Sequence, residues 1–241
     1  MATAAIVQEN MKMVLDLIGD ACNKSVLSKR CRLVAVSKTK SEELIAACYA
    51  MGQRHFGENY VQELEEKANA LHQQCPEIKW HFIGKIQSNK ISKICSLPSL
   101  YCVETIESAK HCDMFNREME KRRSTLDVCV QVNTSAETQK GGLSLKDAPD
   151  LACYIADNCS SLRFAGFMTI GSLQNSHLVP NPDFDRLFQV REAWARRVSR
   201  SPDEVELSMG MSDDFEVAIA QGSTSVRVGS KIFGPRLLKS A

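Results

Sequence analysis

Apolar, β-branched runs alternate along the chain with segments patterned for helix. The runs are Leu33–Lys38, His55–Asn59, Lys79–Gly84, Leu100–Thr105, Leu126–Asn133, Leu162–Gly171, Val205–Met211 and Ser225–Gly234. Several are apolar on both faces, as in a parallel sheet covered by helices. Between them lie Glu42–Met51, Tyr60–Gln74, Ile86–Cys95, Ser108–Arg122, Leu145–Asn158, Phe184–Val198 and Asp214–Ala220, with helical spacing of their apolar positions. Strand and helix alternating in this way, with eight strands, predict an α/β fold, a closed (β/α)8 barrel of the TIM type. The competing architecture, an open doubly wound sheet, often carries a glycine-rich phosphate loop after its first strand. Here that strand ends Val36-Ser37-Lys38-Thr39-Lys40, without glycine. Ahead of it, Ile6, Met13, Leu17 and Cys22, with Val14 and Ile18 beside them, predict an extra amphipathic N-terminal helix.

Length and composition fit that reading. The chain has 241 residues, 44% of them hydrophobic, enough for one substantial core and too few for two large domains. The expectation is one barrel domain over 1–241. The formal net charge is +1, which gives no reason to expect nucleic acid or an anionic membrane as partner. No apolar stretch approaches the ~18 residues of a membrane span. The first 25 residues carry Glu9, Asp16 and Asp20 and no arginine, unlike a secretory or transit leader. The ten cysteines form no C-x-x-C pair and no zinc-ligand spacing. Seven (Cys48, Cys75, Cys95, Cys102, Cys129, Cys153 and Cys159) lie in or beside apolar segments, which reads as reduced, buried thiols in a cytoplasmic protein.

Candidate chemistry gathers at the C-terminal ends of the predicted strands, the face where barrel sites lie. Period-two alternation puts Val34, Val36 and Lys38 on one strand face. If that face is the interior, Lys38 stands at the mouth. Partial loss of hydration there favours the neutral amine, the form that attacks an aldehyde. Taken by itself, a strand-end lysine more commonly reaches into solvent. Lys40 is its rival, on a less fixed position. The loops after strands seven and eight, Leu207–Asp214 and Val226–Ser230, are where barrels frequently hold phosphate. Ser208 and Ser230 offer hydroxyls there, and Gly229 lets backbone N–H groups come close.

Other residues keep two readings. Arg227, inside strand eight, needs a partner because an unpaired buried charge is costly. That partner is either a carboxylate such as Glu206 or an acceptor on a ligand. Asn59 is either the N-cap of the next helix or a ligand-binding amide at the mouth. His81 reads as a satisfied core histidine ahead of a site residue, and Lys85, Lys90 and Lys93 as a solvated helix face ahead of an anion-attracting rim. Gly222-Ser223-Thr224, before strand eight, reads as a structural turn. Gly171–Asp183, rich in Ser, Asn and Pro, reads as a long loop after strand six.

Together these segments resemble the pyridoxal phosphate homeostasis protein family, also called the YggS or PROSC family. The likeness runs nearly end to end: Val34–Lys40, Phe56–Tyr60, Trp80–Gly84 with Gln87–Lys90, Val132–Ser135 with Glu137, Lys140 and Gly142, Gly166–Gly171, Leu207–Asp214, and Val226–Gly229 with Ile232–Gly234 and Arg236. It implies a barrel similar to the N-terminal domain of alanine racemase, and pyridoxal 5′-phosphate held as a Schiff base on Lys38. It implies that Ser208, Gly229 and Ser230 hold the phosphate, that Arg227 faces the pyridine nitrogen, and that Asn59 and Met168 lie near the cofactor. A cation at that nitrogen keeps it unprotonated and the ring a weak electron sink, which disfavours transamination. Against the family's common residues, Lys85 replaces His or Pro, Ser230 replaces Thr, and Ala136 replaces Gly.

The function expected from this likeness is that of a carrier or buffer of pyridoxal phosphate in the cytoplasm, a monomer or weak homodimer making transient contacts with apo-enzymes. The alternative is a racemase-like enzyme, which needs a base on each face of the substrate α-carbon. Only Tyr60 among the four tyrosines falls near the mouth, and the chain ends just after strand eight, which disfavours that alternative. A Schiff-base aldolase without cofactor accounts for Lys38 but less well for Arg227 and the two phosphate-suited loops.

Overall fold

A computed structural model describes residues 3–235 and shows a closed barrel of eight parallel strands in the order β1 to β8. The strands are β1 (Arg32–Val36), β2 (His55–Glu58), β3 (Lys79–Phe82), β4 (Leu100–Ile106), β5 (Leu126–Gln131), β6 (Leu162–Met168), β7 (Glu206–Ser208) and β8 (Ser225–Val228). The ring closes where β1 pairs with β8, Val34 standing opposite Arg227. The helices are α1 (Ala4–Lys24), α2 (Glu42–Ala50), α3 (Val61–Leu71), α4 (Ile91–Cys95), α5 (Ala109–Lys121), α6 (Ala148–Asn158), α7 (Pro182–Arg197), α8 (Phe215–Ala220) and α9 (Ser230–Phe233).

The predicted barrel and its N-terminal helix are both present, with three corrections of detail. The eighth strand stops at Val228, and Ile232 and Phe233 are buried on the short α9 rather than on a strand. The first strand stops at Val36, so Lys38 lies just beyond its end. The face of α1 that packs on the barrel is Val7, Met11, Val14, Ile18 and Cys22, while Ile6 and Met13 are exposed. Those buried positions repeat every three to four residues, a stripe of helical period. Arg236 lies outside the described residues. All ten cysteines are free thiols, and all but Cys31 and Cys153 are buried. Among the described residues no helix is long and apolar enough to cross a membrane.

The core is the layer between barrel and helices. Leu33 and Ala35 of β1 point into it, with Phe56, Trp80 and Phe82 from β2 and β3. Their alternates point inward, so Val34 and Val36 flank Gly57 inside the barrel. Helix α1 covers the seam between first and last strands. Its Gln8 amide donates to Ala47 O on α2 at 3.2 Å, and its Asn10 amide to Ile232 O on α9 at 3.0 Å. The loop after β6 folds back on Asp183, whose carboxylate accepts the Ser172 N–H at 2.7 Å and the Asn175 amide at 2.9 Å.

Candidate functional site at the barrel mouth

The C-terminal end of the barrel holds a cavity of about 330 Å³, within the range of small-molecule sites. Lys38, Asn59 and Met168 line it, as do Arg227, Gly229 and Ser230. Six of the seven residues singled out from sequence therefore meet around one space. Val36, Ile83 and Ile170 add apolar wall, and Met211, Ser212 and Asp213 bring in the loop after β7.

The segment carrying Lys38 is fixed on both sides. The Ser37 hydroxyl donates to Glu58 Oε1 at 2.7 Å, and the Ser37 carbonyl accepts from Lys67 Nζ at 2.7 Å. Lys67 is buried on α3 and also bonds Glu58 at 2.7 Å and Glu63 at 2.6 Å. The Thr39 N–H donates to Glu63. Thr39 itself has φ +64°, an uncommon conformation for a β-branched residue and one that sites tend to retain. Burial pushes the Glu58 carboxyl above its ordinary range, even with Lys67 and Ser37 acting the other way. Sequence reading passed over Lys67 because a helix lysine normally faces water. Lys40, the rival lysine, lines the same cavity. Its amine donates to the carbonyls of Phe233 at 3.0 Å, Gly234 at 3.2 Å and Pro235 at 3.0 Å, tying the end of α9 to the mouth.

Of the two readings of Asn59, the structure excludes the N-cap. Helix α3 starts at Val61 with Tyr60 as its N-cap, so Asn59 caps nothing. Its Oδ1 is buried with no hydrogen-bond partner. Such groups are normally satisfied, and an orphan on a cavity wall points to a missing partner. Gly84 keeps Asn59 in place: a Cβ there would stand 1.8 Å from the Asn59 carbonyl. Gly229 packs less tightly, on the end of β1, where a Cβ would lie 3.2 Å from Val36 O. The Gly229 N–H donates to the Ser212 hydroxyl at 3.2 Å, which joins the loops after β7 and β8 at the cavity.

Ser208 is the residue placed elsewhere. It is not on the cavity wall. As the last residue of β7 it points into the barrel, where its hydroxyl bonds Glu104 Oε2 at 2.6 Å and Arg227 Nη1 at 2.6 Å. The serine that reaches the cavity is Ser212, four residues on and buried. Arg227 is 4% exposed, and its Nη2 donates to Thr169 O at 2.7 Å. Glu206, the carboxylate suggested for it, instead pairs with Arg32 at 2.7 Å. Burial pushes Arg227 below the ordinary guanidinium range, against the charges of Glu104 and Asp214. His81 is a satisfied core histidine, with Nδ1 2.6 Å from Glu104 Oε1 and Nε2 2.8 Å from His55 Nδ1. Burial pulls His55 down to about 3, helped by His81, Arg32 and Lys79. Lys85, Lys90 and Lys93 are exposed around a neighbouring cavity of about 400 Å³, and Lys93 pairs with Glu65 at 2.8 Å. Ala136 has φ +56°, the left-handed region that glycine adopts without strain.

Residues 21–236 match the family model for the alanine racemase N-terminal domain. Barrel and mouth thus define the class: a racemase-type α/β barrel with a lysine just past its first strand. The Caenorhabditis elegans pyridoxal phosphate homeostasis protein is 57% identical over 239 residues, 98% of each chain. A crystal structure of an unknown protein from Bifidobacterium adolescentis superposes with TM-score 0.84 at 33% identity, covering 95% of both chains. The PipY protein of Synechococcus elongatus with pyridoxal phosphate bound superposes with TM-score 0.75 at 26% identity, covering 95% of this chain and all of PipY. The chain belongs to the pyridoxal phosphate homeostasis protein family.

Proposed function

We propose that the chain binds pyridoxal 5′-phosphate at the barrel mouth and serves as a carrier or buffer of it, without robust catalysis of its own. The observation that carries this reading is the orphaned Asn59 Oδ1 on the same cavity wall as Lys38 and Arg227. The residues present fit the group. Lys38 would hold the group through its aldehyde, as a Schiff base. Asn59 would serve the ring hydroxyl, and Arg227 would present its cation to the ring nitrogen. The Ser230 hydroxyl and backbone N–H would serve the phosphate, with Gly229 allowing close approach and Ser212 in the place first expected of Ser208. Met168 and Ile83 pack the ring face. When bound, the cofactor supplies electron-withdrawing capacity to amines, and a cation at its ring nitrogen weakens that capacity.

The carrier is favoured over the racemase because no tyrosine or histidine stands among the described cavity-lining residues. Tyr101 lies at the other end of the barrel against His55, and the Tyr154 hydroxyl is bonded to Asp113 at 2.6 Å. The test is the visible absorbance of protein incubated with pyridoxal phosphate, followed by borohydride trapping and peptide mapping. An adduct on Lys38, lost in Lys38→Ala, is expected; a protein with no visible band and no adduct would falsify the binding. Rapid transfer of the ligand to an apo-transaminase, with no turnover of D- or L-alanine, distinguishes carrier from enzyme. Cytoplasmic location and transient contact with recipient apo-enzymes belong to the same reading.

A further inference from the structure

Below the cavity, side chains from five strands form a hydrogen-bonded line through the barrel. His55 on β2 meets His81 on β3 at 2.8 Å, and His81 meets Glu104 on β4 at 2.6 Å. Glu104 meets Ser208 on β7 at 2.6 Å, and Ser208 meets Arg227 on β8 at 2.6 Å. Glu104 is 2% exposed and Ser208 1%. Burial alone would raise the Glu104 carboxyl, but the contact with His81, the Arg227 charge and the Ser208 hydroxyl outweigh it and hold it at about 2. The group is therefore a carboxylate at neutral pH, and a carboxylate only accepts. That fixes the direction of its bonds. His81 Nδ1–H and Ser208 Oγ–H both donate to Glu104, so the Ser208 oxygen is left to accept from Arg227 Nη1. A single hydroxyl joins the buried anion to the buried cation. The other carboxylate acting on Arg227, Asp214, accepts the Met211 N–H at 2.6 Å, and Glu206 is held by Arg32.

We propose that Glu104, acting through the Ser208 hydroxyl, is a positioning residue that holds the Arg227 guanidinium against the heteroaromatic nitrogen of the ligand. This rests on the reading of the mouth as a pyridoxal phosphate site. A guanidinium taken from water needs both counter-charge and acceptors, and two of its nitrogens find acceptors in the barrel wall, Ser208 Oγ and Thr169 O. Those two bonds leave only part of its donor set for the cavity and set the plane in which it is presented. Loss of the Glu104 charge frees the guanidinium to turn, and with it the control of the proton at the ring nitrogen.

The test compares Glu104→Gln and Ser208→Ala with Arg227→Gln, each incubated with pyridoxal phosphate. Glu104→Gln is expected to weaken binding tenfold or more and to displace the visible band in the same direction as Arg227→Gln. Ser208→Ala, which keeps both charges, is expected to do so by a few-fold and decides the matter if Glu104→Gln does not fold. A wild-type band and dissociation constant in both variants, alongside a shift in Arg227→Gln, overturns the proposal and leaves the binding reading intact. If the wild-type protein forms no adduct on Lys38, the binding reading fails instead. The link between Glu104 and Arg227 is then judged in ligand-free protein from the nitrogen and proton NMR signals of the Arg227 guanidinium. Hindered rotation in the wild type that is lost in Glu104→Gln or Ser208→Ala supports it; unchanged signals in both refute it.

Discussion

Inside the barrel, His55, His81, Glu104, Ser208 and Arg227 use one another's hydrogen-bonding capacity from one strand to the next. A few ångströms along, at the mouth, Asn59 Oδ1 is just as buried and has no partner. Both regions are polar groups enclosed in apolar walls, so chemistry of residue type does not separate them. Satisfaction does. A completed network adds stability and a fixed geometry, whereas an unpaired buried acceptor costs stability until something arrives to bond it. Of the buried orphans, which include Glu58 Oε2 and Ser225 Oγ, Asn59 Oδ1 belongs to a residue that lines the mouth cavity beside Lys38 and Arg227.

Substitution should therefore act with opposite sign in the two regions. The largest effect is expected from Lys67→Met, in the clasp behind Lys38. It strips Glu58 of its partner in a buried ion pair, which costs on the order of 3–5 kcal/mol, read from urea unfolding. Because burial already raises Glu58, part of the loss should return as pH falls and the carboxyl is protonated. A loss independent of pH would show that Lys67 acts by packing alone.

Acid titration probes the completed network next. The Glu104 carboxyl sits at about 2 in the fold against 4.5 ordinarily. Its depressed value contributes stability that is fully present above pH 4.5 and is lost as pH falls from 4.5 towards 2. Glu104→Gln should flatten that part of the stability curve while lowering the plateau at pH 7. An unchanged acid limb would mean the carboxylate is not paired as described.

At the mouth the sign reverses. Asn59→Leu removes an unsatisfied acceptor and adds apolar contact, so the ligand-free protein should gain about 1 kcal/mol. Retention of pyridoxal phosphate should fall at the same time. A variant that is less stable and binds normally would place Asn59 in the structural class. The smallest effect is expected from Ala136→Gly. Relief of the left-handed backbone is worth ~1–2 kcal/mol and is partly offset by the greater chain entropy of glycine, leaving a net gain of roughly 0.5 kcal/mol in stability, read from urea unfolding.

The barrel was legible because buried parallel strands write themselves as β-branched runs at regular intervals. Its ends were less so. Val226–Gly234 begins and ends with apolar residues around Arg227, Ser230 and Lys231, and a strand cannot be told from a strand followed by a helical turn until Gly229 packs on Val36. The stripe on α1 was displaced by one position because Ile6, Met13 and Leu17 also repeat at helical spacing. Lys38, Arg227 and Gly229 could be read from strand ends and from family likeness. Ser208 was placed at the mouth because it sits beside a loop rich in Gly and Ser, whereas the strand's last residue points inward and Ser212 takes the outer place. Glu104 and His55 gave no signal at all. They lie on separate strands, each plausible as an ordinary polar residue, and only closure of the ring brings them into line.

That closure has a consequence for how the protein comes into being. Lys38 follows the first strand and Arg227 sits on the last, and the seam between them is bonded by strand pairing and bridged by α1. A chain made from its N-terminus therefore carries the lysine through almost the whole of its synthesis before the opposite wall exists. Until strand eight docks, that amine has neither Arg227 nor the Gly229–Ser230 turn in the same cavity. Occupancy by ligand is then a marker of completed folding, and the ligand adds its own binding energy to the last and most long-range step of assembly.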